Sequence, residues 1–420
     1  MQFKQYPSYK NSGVEWLGDV PEHWQIVRTK DIFNHRKEEA LEDDEIVTAF
    51  RDGQVTLRKN RRTDGFTNSI KEHGYQHINS GDLVIHEMDA FAGAIGVSDS
   101  SGKSTPVYSV CYAKNENINH HFYSHFFRTM AKTGFINSLA KGIRVRSTEF
   151  RWNESRNVYL ALPPQIDQQK IVAFLNTETA RIDNLIAKQE KLVELLEEQR
   201  KSIISHAVTK GLNPNAPMKD SGVEWLGEVP EGWVERKIKF LSKLINEKTS
   251  EKSNVIALEN IESWTGKYIE TESSFDSDAV KFKENDVLFG KLRPYLAKVY
   301  LVENQGEAVG DIYVLRPNKL IHPQYLKFFM LSEKFIDYVN SSTNGTKMPR
   351  ANWDFIGSIS IYLPEISIQN QIVNYLESAI GKIELIINKQ ISLIEKLKEY
   401  RSSIISHSVT GKIDVREFTA

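Results

Sequence analysis

The sequence has very little cysteine and no long apolar run, and both shortages limit the classes of protein to which it can belong. Its 420 residues include a single cysteine, Cys111, which excludes an intrachain disulfide and any zinc site built from cysteines. No apolar run approaches the roughly 18 residues that a membrane-spanning helix needs. The N-terminal MQFKQYPSYK has no signal-peptide core. We therefore expect a cytoplasmic protein in which Cys111 is a small, buried apolar residue.

Excess charge and catalytic motifs are lacking as well. The formal net charge is −1, so the average gives no hint of a nucleic-acid partner, although local clusters can hide in an average. SSGKST at 100–105 lacks the first glycine of a phosphate-binding loop, because Val97 stands in its place, and a polar hairpin turn is favoured. His121 and His125 have a spacing that zinc ligands use, but no third ligand accompanies them, which favours a surface or packing role. Neither the Asn-Pro-Pro-aromatic tetrapeptide of an amino-methyltransferase nor a Pro-Asp dipeptide is found.

What the sequence does contain is an internal repeat. SGVEWLGDVPEHW at 12–24 recurs as SGVEWLGEVPEGW at 221–233, with eleven of thirteen positions identical. Duplicated aromatic segments are typical of packing elements rather than of active sites. RKSIISHAVT at 200–209 likewise recurs as RSSIISHSVT at 401–410. The chain therefore consists of a segment, a variable region and a long helical stretch, followed by the same three parts again.

These repeats predict the domain organisation and the fold class. β-type alternation precedes an aromatic-rich helix in each variable region, which predicts an α+β domain with a twisted sheet. The tail joined to the N-terminus would regenerate the pattern of 210–233, which implies a pseudo-two-fold molecule with antiparallel helices. The predicted parts are the first repeated segment (1–24), variable domain 1 (25–161), long helix 1 (162–210), a linker with the second segment (211–233), variable domain 2 (234–362), long helix 2 (363–411) and a tail (412–420).

The two long helices carry apolar residues at alternating spacings of three and four. This period is typical of a coiled coil, and we expect the two helices to pair within one chain. A polar residue at the same seam position of both helices would fix their register. The predicted seam consists of Leu175, Ile182, Leu185, Gln189, Leu192 and Leu196 in the first helix, and of Leu376, Ile383, Ile386, Gln390, Leu393 and Leu397 in the second.

Basic residues cluster in loops of both variable domains. Lysine and arginine in loops suit phosphate contacts, and arginine can bridge two guanine acceptors. One such cluster is more simply a charged surface loop, but matching clusters in duplicated domains favour DNA binding. The acidic run at 37–46 is expected to face away from DNA or to touch a partner subunit. The predicted DNA-binding residues are Arg58, Lys59, Arg61, Arg62, Arg144 and Arg146 in the first domain, and Lys291, Arg293, Tyr295, Lys298, Lys347 and Arg350 in the second.

The layout resembles the DNA-specificity subunit of type I restriction–modification systems over nearly the whole chain. The resemblance rests on the tandem variable domains, the long helix after each, the Leu-Pro entry followed by Gln168 and Gln169, and GKLRPYLAKV at 290–299. Lys291, Arg293 and Pro294 match a recurrent motif of the family. HEMDAFAGAI at 86–95 departs from that motif, so DNA contacts of the first domain must come from elsewhere. Residues 366–368 also depart from the usual entry to the helix.

The resemblance implies a non-catalytic subunit whose variable domains are target recognition domains, each reading one half of a split DNA sequence. The helices would form an antiparallel coiled coil that sets the spacing between the two half-sites. Two methyltransferase subunits would dock on it to methylate adenines, and restriction subunits would join for cleavage. S-adenosylmethionine, ATP and magnesium would bind to those partners, and this chain would bind no cofactor or metal.

Two other functions are to be weighed against DNA recognition. One is an interaction scaffold that tethers two ligand-binding modules without nucleic acid, and the near-neutral net charge is its best support. The other is an enzyme, for which no residue constellation speaks. A steep salt dependence of DNA binding distinguishes a DNA-specificity subunit from a scaffold. A scaffold that does not touch DNA has no DNA affinity that could fall with salt.

Overall fold

The computed structural model describes residues 3–61, 73–139, 150–251, 253–271, 278–343 and 347–418. The chain forms two compact units. The first unit consists of Met1–Lys188 with Ile394–Ala420, and the second unit of Gln189–Leu393. The divisions fall inside the two long helices, so each long helix contributes residues to both units. Within the described ranges, no helix is long and apolar enough to cross a membrane.

The first half of the chain contains short strands, one aromatic-rich helix and one very long helix. The strands are β1 (Tyr9–Asn11), β2 (Asp19–Pro21), β3 (Gln25–Arg28), β4 (Phe33–His35), β5 (Val47–Ala49), β6 (Val55–Leu57), β7 (Gln76–Ile78), β8 (Leu83–His86), β9 (Ile95–Val97), β10 (Gly102–Ser104), β11 (Tyr108–Ala113) and β12 (Tyr159–Leu162). The helices are α1 (Thr29–Ile32), α2 (His120–Lys132), α3 (Phe135–Ser138), α4 (Trp152–Ser155) and α5 (Gln165–Lys210). The SSGKST stretch thus runs into strand β10, which pairs with β7.

The second half repeats this order. Its strands are β13 (Met218–Asp220), β14 (Glu228–Pro230), β15 (Val234–Lys237), β16 (Ser242–Ile245), β17 (Lys248–Thr249), β18 (Val255–Ile256), β19 (Ala279–Phe282), β20 (Val287–Gly290), β21 (Val299–Leu301), β22 (Gly306–Val309), β23 (Ile312–Pro317) and β24 (Ser360–Leu363). Its helices are α6 (Pro323–Leu331), α7 (Glu333–Ser341), α8 (Trp353–Ser358) and α9 (Ile366–Val409).

Each variable region folds around a four-stranded antiparallel sheet of the same strand order. The order is β4-β11-β8-β9 in the first unit and β16-β23-β20-β21 in the second. The aromatic helices α2 and α6 supply the core beside these sheets through fully buried rings such as Tyr123, Phe126 and Tyr325. Cys111 is buried in β11 of the first sheet. The α+β class predicted from the repeats is confirmed.

The repeated aromatic segments pack on these domains. The Trp16 ring contacts Phe126 of α2 edge-on, with ring centroids 5.4 Å apart. In the second unit the Trp225 ring stacks on Tyr338 of α7 at 5.1 Å. Trp24 and Trp233, the last residues of the two segments, are both buried. The segments are therefore packing elements, as their composition predicts.

The two ends of the chain lie side by side in the first unit. The Asp414 amide donates a hydrogen bond to the Lys4 carbonyl at 2.8 Å. Gly411 packs against Trp24, and in the second unit Gly211 packs against the equivalent Trp233. Both glycines have a positive φ, near 75°, which a residue with a side chain adopts at a cost. Tail and N-terminus together thus occupy the place that the linker occupies in the second unit.

In each unit the long helices α5 and α9 pack antiparallel. Leu175, near the start of α5, shares a core with Val409 at the end of α9 in the first unit. Val208, near the end of α5, shares a core with Ile372 near the start of α9 in the second. In the first unit a bidentate ion pair also joins the helices, with Arg401 donating to both oxygens of Asp183 at 2.7 and 3.0 Å.

The seam of the helix pair differs from the predicted one at four positions. Leu185, Leu192, Ile386 and Leu393 are 37–41% exposed, so their place in the predicted seam is a correction. The residue after each is the one that packs inward: Ile186, Ile387 and Ile394 are buried, and Val193 is half-buried. The observed stripe steps from 182 to 186, 189, 193, 196 and 200, which equally alternates four and three.

The other predicted seam residues lie on this stripe. Leu175, Ile182, Leu376 and Ile383 are buried, and Leu196 and Leu397 are half-buried. Gln189 and Gln390 are half-buried, and neither side chain has a hydrogen-bond partner within the described ranges.

Candidate nucleic-acid interface

The two basic loops of the second domain, far apart in sequence, are joined into one surface. Strand β20 ends at Gly290, and the following loop pairs with residues 349–351. The Arg293 amide donates to the Pro349 carbonyl, and the Ala351 amide donates to the Lys291 carbonyl, both at 2.8 Å. These bonds bring the predicted residues Lys291, Arg293, Tyr295, Lys347 and Arg350 onto one surface, which we call the second-domain basic surface.

Backbone strain in the loop supports a functional surface. Arg293 and Ala297 both have a positive φ, 49° and 45°, which is uncommon for residues with a side chain. Such conformations persist where the surrounding structure holds them, and they cluster at functional sites. Here Pro294 and Ala297 are buried, so the loop is anchored from below. The anchored loop presents Arg293 and Tyr295 outward.

A single carboxylate orients two of the cations on the second-domain basic surface. Arg350 donates to Asp311 at 2.9 Å, and the Lys291 Nζ lies 3.7 Å from the same carboxylate. The Arg293 side chain has no hydrogen-bond or ion-pair partner within the described ranges, and Lys347 is exposed. The four cations outnumber Asp311 and the nearby Asp354, which leaves net positive charge. Exposed Tyr295 and Met348, at 44% and 60%, add apolar contact area of the kind that base edges accept.

Lys298 differs from these residues because its charged group bonds to the protein backbone. Its ammonium donates to the Leu258 carbonyl at 2.6 Å, and burial lowers the pKa of this group. The contact ties the start of β21 to the loop at 258–260, which is a structural role. Lys298 is thus the predicted residue of this domain whose charge is turned inward.

The first domain has acids where the second has its basic motif. The Phe150 amide donates to the Glu87 carbonyl just as Ala351 donates to Lys291, so Glu87 is the counterpart of Lys291. Glu87 accepts a hydrogen bond from Ser109 at 2.7 Å. Asp89, two residues on, pairs with Arg51 at 2.9 Å. The departure of HEMDAFAGAI from the basic motif therefore changes the charge at this position.

Two of the predicted basic residues of the first domain, Arg58 and Arg61, instead line a cleft of about 660 Å³ in front of β5 and β6. Arg58 donates to Thr48 Oγ1 at 3.3 Å, and Arg61 pairs with Asp52 at 2.7 Å while lying over the Phe50 ring. Arg51 also lines the cleft, and sequence reasoning missed it because it stands alone, without neighbouring cations.

Lys59 pairs with Glu45, so the acidic run at 37–46 contacts the basic cluster directly. Another residue of that run, Asp44, lies 2.6 Å from His77. Arg62, Arg144 and Arg146, also predicted to bind DNA, lie outside the described residues.

No metal centre accompanies these surfaces in the part of the chain that the structure describes. No group of three or more His, Cys, Asp or Glu residues is placed to hold a metal there. His125 is half-buried, and burial beside Arg128 lowers its pKa to about 4, so it is neutral at physiological pH. A packing role for this histidine agrees with its surroundings.

Comparison with known proteins finds a matching family model and similar proteins that cover most of the chain. A family model for the type I restriction modification DNA specificity domain matches residues 21–195 and 230–396. The EcoDI specificity subunit of Escherichia coli is 23% identical over 316 residues, covering 68% of this chain and 71% of that protein. The MjaVIII specificity subunit of Methanocaldococcus jannaschii is 24% identical over 425 residues, covering 94% of each.

Solved structures share the fold. A chain from a structural study of the assembly and conformational transition of a type I restriction–modification system superposes with a TM-score of 0.67 at 14% identity, covering 93% of this chain and 98% of that one. The HsdS subunit from Thermoanaerobacter tengcongensis gives a TM-score of 0.56 at 14% identity, with coverage of 94% and 98%. Since the family model matches both halves and most of the chain, the protein belongs to the family of type I restriction–modification DNA-specificity subunits.

Proposed function

We propose that each variable domain of this specificity subunit reads one half of a bipartite, asymmetric target in double-stranded DNA. The observation that carries the proposal is the second-domain basic surface, where hydrogen bonds between two distant loops gather four cations. The subunit recognises and does not catalyse; the catalytic activities lie in partner subunits. Because the equivalent position of the first domain carries Glu87 and Asp89, the two domains present unlike surfaces, which suits unlike half-sites.

The helix pair is proposed to set the spacer between the half-sites and to dock two methyltransferase subunits. Exposed apolar side chains on both helices support docking, because contiguous exposed apolar surface is typical of interaction sites. Restriction subunits would join the complex for cleavage. S-adenosylmethionine, ATP and magnesium would be held by these partners, in the cytoplasm where the DNA lies. The exposed apolar residues include Leu185, Leu192 and Leu195 on α5 and Leu385, Ile386, Ile391 and Leu393 on α9.

Exchange of one variable domain tests the proposal. Residues 25–161 are replaced by the corresponding domain of a related specificity subunit, and methylated motifs are read by methylation-aware sequencing of cellular DNA. We expect one half of the methylated sequence to change while the other half is retained. An unchanged motif, or a change in both halves, would contradict the assignment of one half-site to each domain.

The alternative is a two-module scaffold that does not touch DNA. Measuring duplex binding by the purified complex over a series of salt concentrations separates the two functions. A DNA reader loses affinity linearly on a log–log plot, with a slope that counts its phosphate contacts. A scaffold shows no such slope.

On the second-domain basic surface, Arg293→Ala and Lys347→Ala should each weaken recognition of one half-site. Loss of a good base contact reduces discrimination by about 1–3 kcal/mol, and loss of a phosphate contact lowers affinity at every sequence. The measurement is the methylation level at genomic sites together with duplex affinity. Lys319→Ala is the matched control, because Lys319 is exposed beyond the other end of β23. Full methylation in both surface variants would refute the assignment of this surface.

A further inference from the structure

A cavity of about 370 Å³ lies in the first unit between helix α2 and the last turns of α9. Arg128 and Lys132 of α2 line one side, and serine residues of α9, among them Ser402 and Ser406, line the other. None of these residues belongs to the basic surfaces described above. The cavity therefore requires its own explanation.

The Arg128 guanidinium is held in position but lacks a counter-charge. It lies flat against Gly53, where an added Cβ would overlap it, and close to Gly93. Its Nε is buried without a hydrogen-bond partner, and within the described ranges the side chain has no ion pair. Asp52, whose charge opposes the lowering of the Arg128 pKa, is already paired with Arg61 at 2.7 Å. A half-buried cation without an ion-pair partner costs folding free energy unless an anion binds to it.

The other cations around the cavity reinforce the positive charge. The Lys132 ammonium, at the mouth of the cavity, donates to Ser402 Oγ at 3.4 Å. Burial, followed by the nearby Arg401, lowers the pKa of Arg128, and burial together with Arg128 lowers that of Lys132. Arg401 itself is neutralised by Asp183. The carboxylate that lines the cavity is Glu399, which is exposed at its rim.

In the second unit, a buried cation of the equivalent helix α6 is compensated by carboxylates of the protein. Lys327 of α6 is the counterpart of His125 of α2, two residues after the equivalent tyrosine in each helix. Burial lowers the pKa of Lys327, but Glu377, Glu384 and Glu303 oppose that shift. Carboxylates of the protein thus compensate the cation there. In the first unit Asp52 acts on Arg128 in the same sense, but it is already paired with Arg61, which leaves room for an external anion.

We propose that the cavity between α2 and α9 of the first unit binds a phosphate group, held by Arg128 and Lys132 with the hydroxyls of Ser402 and Ser406. A guanidinium fork and an ammonium beside hydroxyl donors match the several acceptor oxygens of a phosphate. The volume accommodates such a group with water around it. The phosphate is either one of the DNA backbone or a free phosphate.

Thermal unfolding of the full chain in inorganic phosphate, against chloride at equal ionic strength, tests the site. Ligand that binds only the folded state raises the midpoint with concentration, and the dependence gives an apparent Kd. We expect Lys132→Met to weaken this Kd about tenfold, since it removes a charge-assisted hydrogen bond. Glu399→Gln should tighten it, and Lys170→Met, on the exposed face of α5, should leave it unchanged.

A midpoint indifferent to phosphate, or an equal response in wild type and Lys132→Met, would overturn the proposal. Lys132 is exposed, so its variant should fold even where Arg128→Met does not. Salt titration of duplex binding by the complex with its methyltransferase subunits then identifies the source. A DNA phosphate predicts that Lys132→Met lowers the salt slope by about one, whereas a free phosphate predicts an unchanged slope. Failure of the wild type to bind DNA would contradict the recognition function and leave the phosphate result standing.

Discussion

Replacing Arg316 with methionine should destabilise the second unit by about 3 kcal/mol, because the change strands a buried carboxylate. Arg316 on β23 donates to both oxygens of Asp286 at 2.8 and 2.7 Å. The Asp286 side chain is 1% exposed, and its remaining partner is the Lys283 amide at 2.9 Å. Methionine fills much of the volume of the arginine stem but offers no donor. We expect a loss of stability at the lower end of the range for breaking a buried ion pair, because the Arg316 side chain is 32% exposed.

The first unit suggests a variant that should restore the ion pair, because there the equivalent buried aspartate is paired with an arginine that follows a different strand. Asp82, the counterpart of Asp286, is held at 2.8 and 3.0 Å by Arg36, which follows β4, while Tyr112 stands at the position of Arg316. The counterpart of Arg36 in the second unit is Ile245. Ile245→Arg combined with Arg316→Tyr recreates the arrangement of the first unit. We expect the double variant to recover only part of the lost stability, because it also removes the buried Ile245 side chain from the core.

Hydrogen exchange measures the effect within one chain, since amides open with free energies that report local stability. The amides of β20 should exchange about a hundredfold faster in Arg316→Met, while those of β8 in the first unit serve as an internal reference. Lys243→Met is the control, because Lys243 is exposed directly opposite Arg316 in the sheet. Equal protection of β20 in Arg316→Met and Lys243→Met would show that the ion pair does not support the sheet.

The repeats and strand patterns of the sequence predict the fold well, because each depends on residues close together in the chain. The strand-rich part of each variable region precedes its aromatic helix as expected, with YSVCYA at 108–113 forming β11 and the stretch with Tyr325 and Phe328 forming α6. The seam of the helix pair was harder to predict, because two apolar residues often stand next to each other in the sequence, as in Leu185–Ile186 and Leu393–Ile394. Either member continues a spacing of three and four, and only packing against the partner helix decides between them.

The candidate site was predictable as loops but not as a surface. GKLRP and TKMPR are each visible as basic stretches, but about fifty residues separate them, and periodicity carries no information on their pairing. Only the bonds between Arg293 and Pro349 and between Ala351 and Lys291 make them neighbours. The inward turn of Lys298 was hidden for the same reason, because its partner is the distant Leu258 carbonyl. Base readout depends on such loop geometry, which spacing rules do not contain.

Replacing Gln369 with leucine should lower the free energy of unfolding of the second unit by about 3 kcal/mol, because it breaks a fully buried clamp. The Gln369 side-chain oxygen accepts from the His322 amide at 2.8 Å, and its nitrogen donates to the Leu320 and Pro364 carbonyls at 3.0 and 2.9 Å. Leucine preserves the volume but leaves a donor and two acceptors without partners. Gln168 makes the same three contacts in the first unit, with Asn119, Asn117 and Pro163.

The clamp also has a functional consequence, because His322 and Asn119 are the N-cap residues of α6 and α2. Each glutamine thereby fixes an aromatic helix of a variable domain to the first turn of a long helix. Gln369→Leu should therefore reduce methylation through the half-site read by the second domain, and Gln168→Leu through the other, as scored by methylation-aware sequencing. Gln371→Leu and Gln169→Leu, at exposed neighbouring positions, are the controls for added apolar surface. Loss of thermal stability with both half-sites read normally would confine the glutamines to folding, whereas loss confined to the matching half-site would assign them to the orientation of each domain.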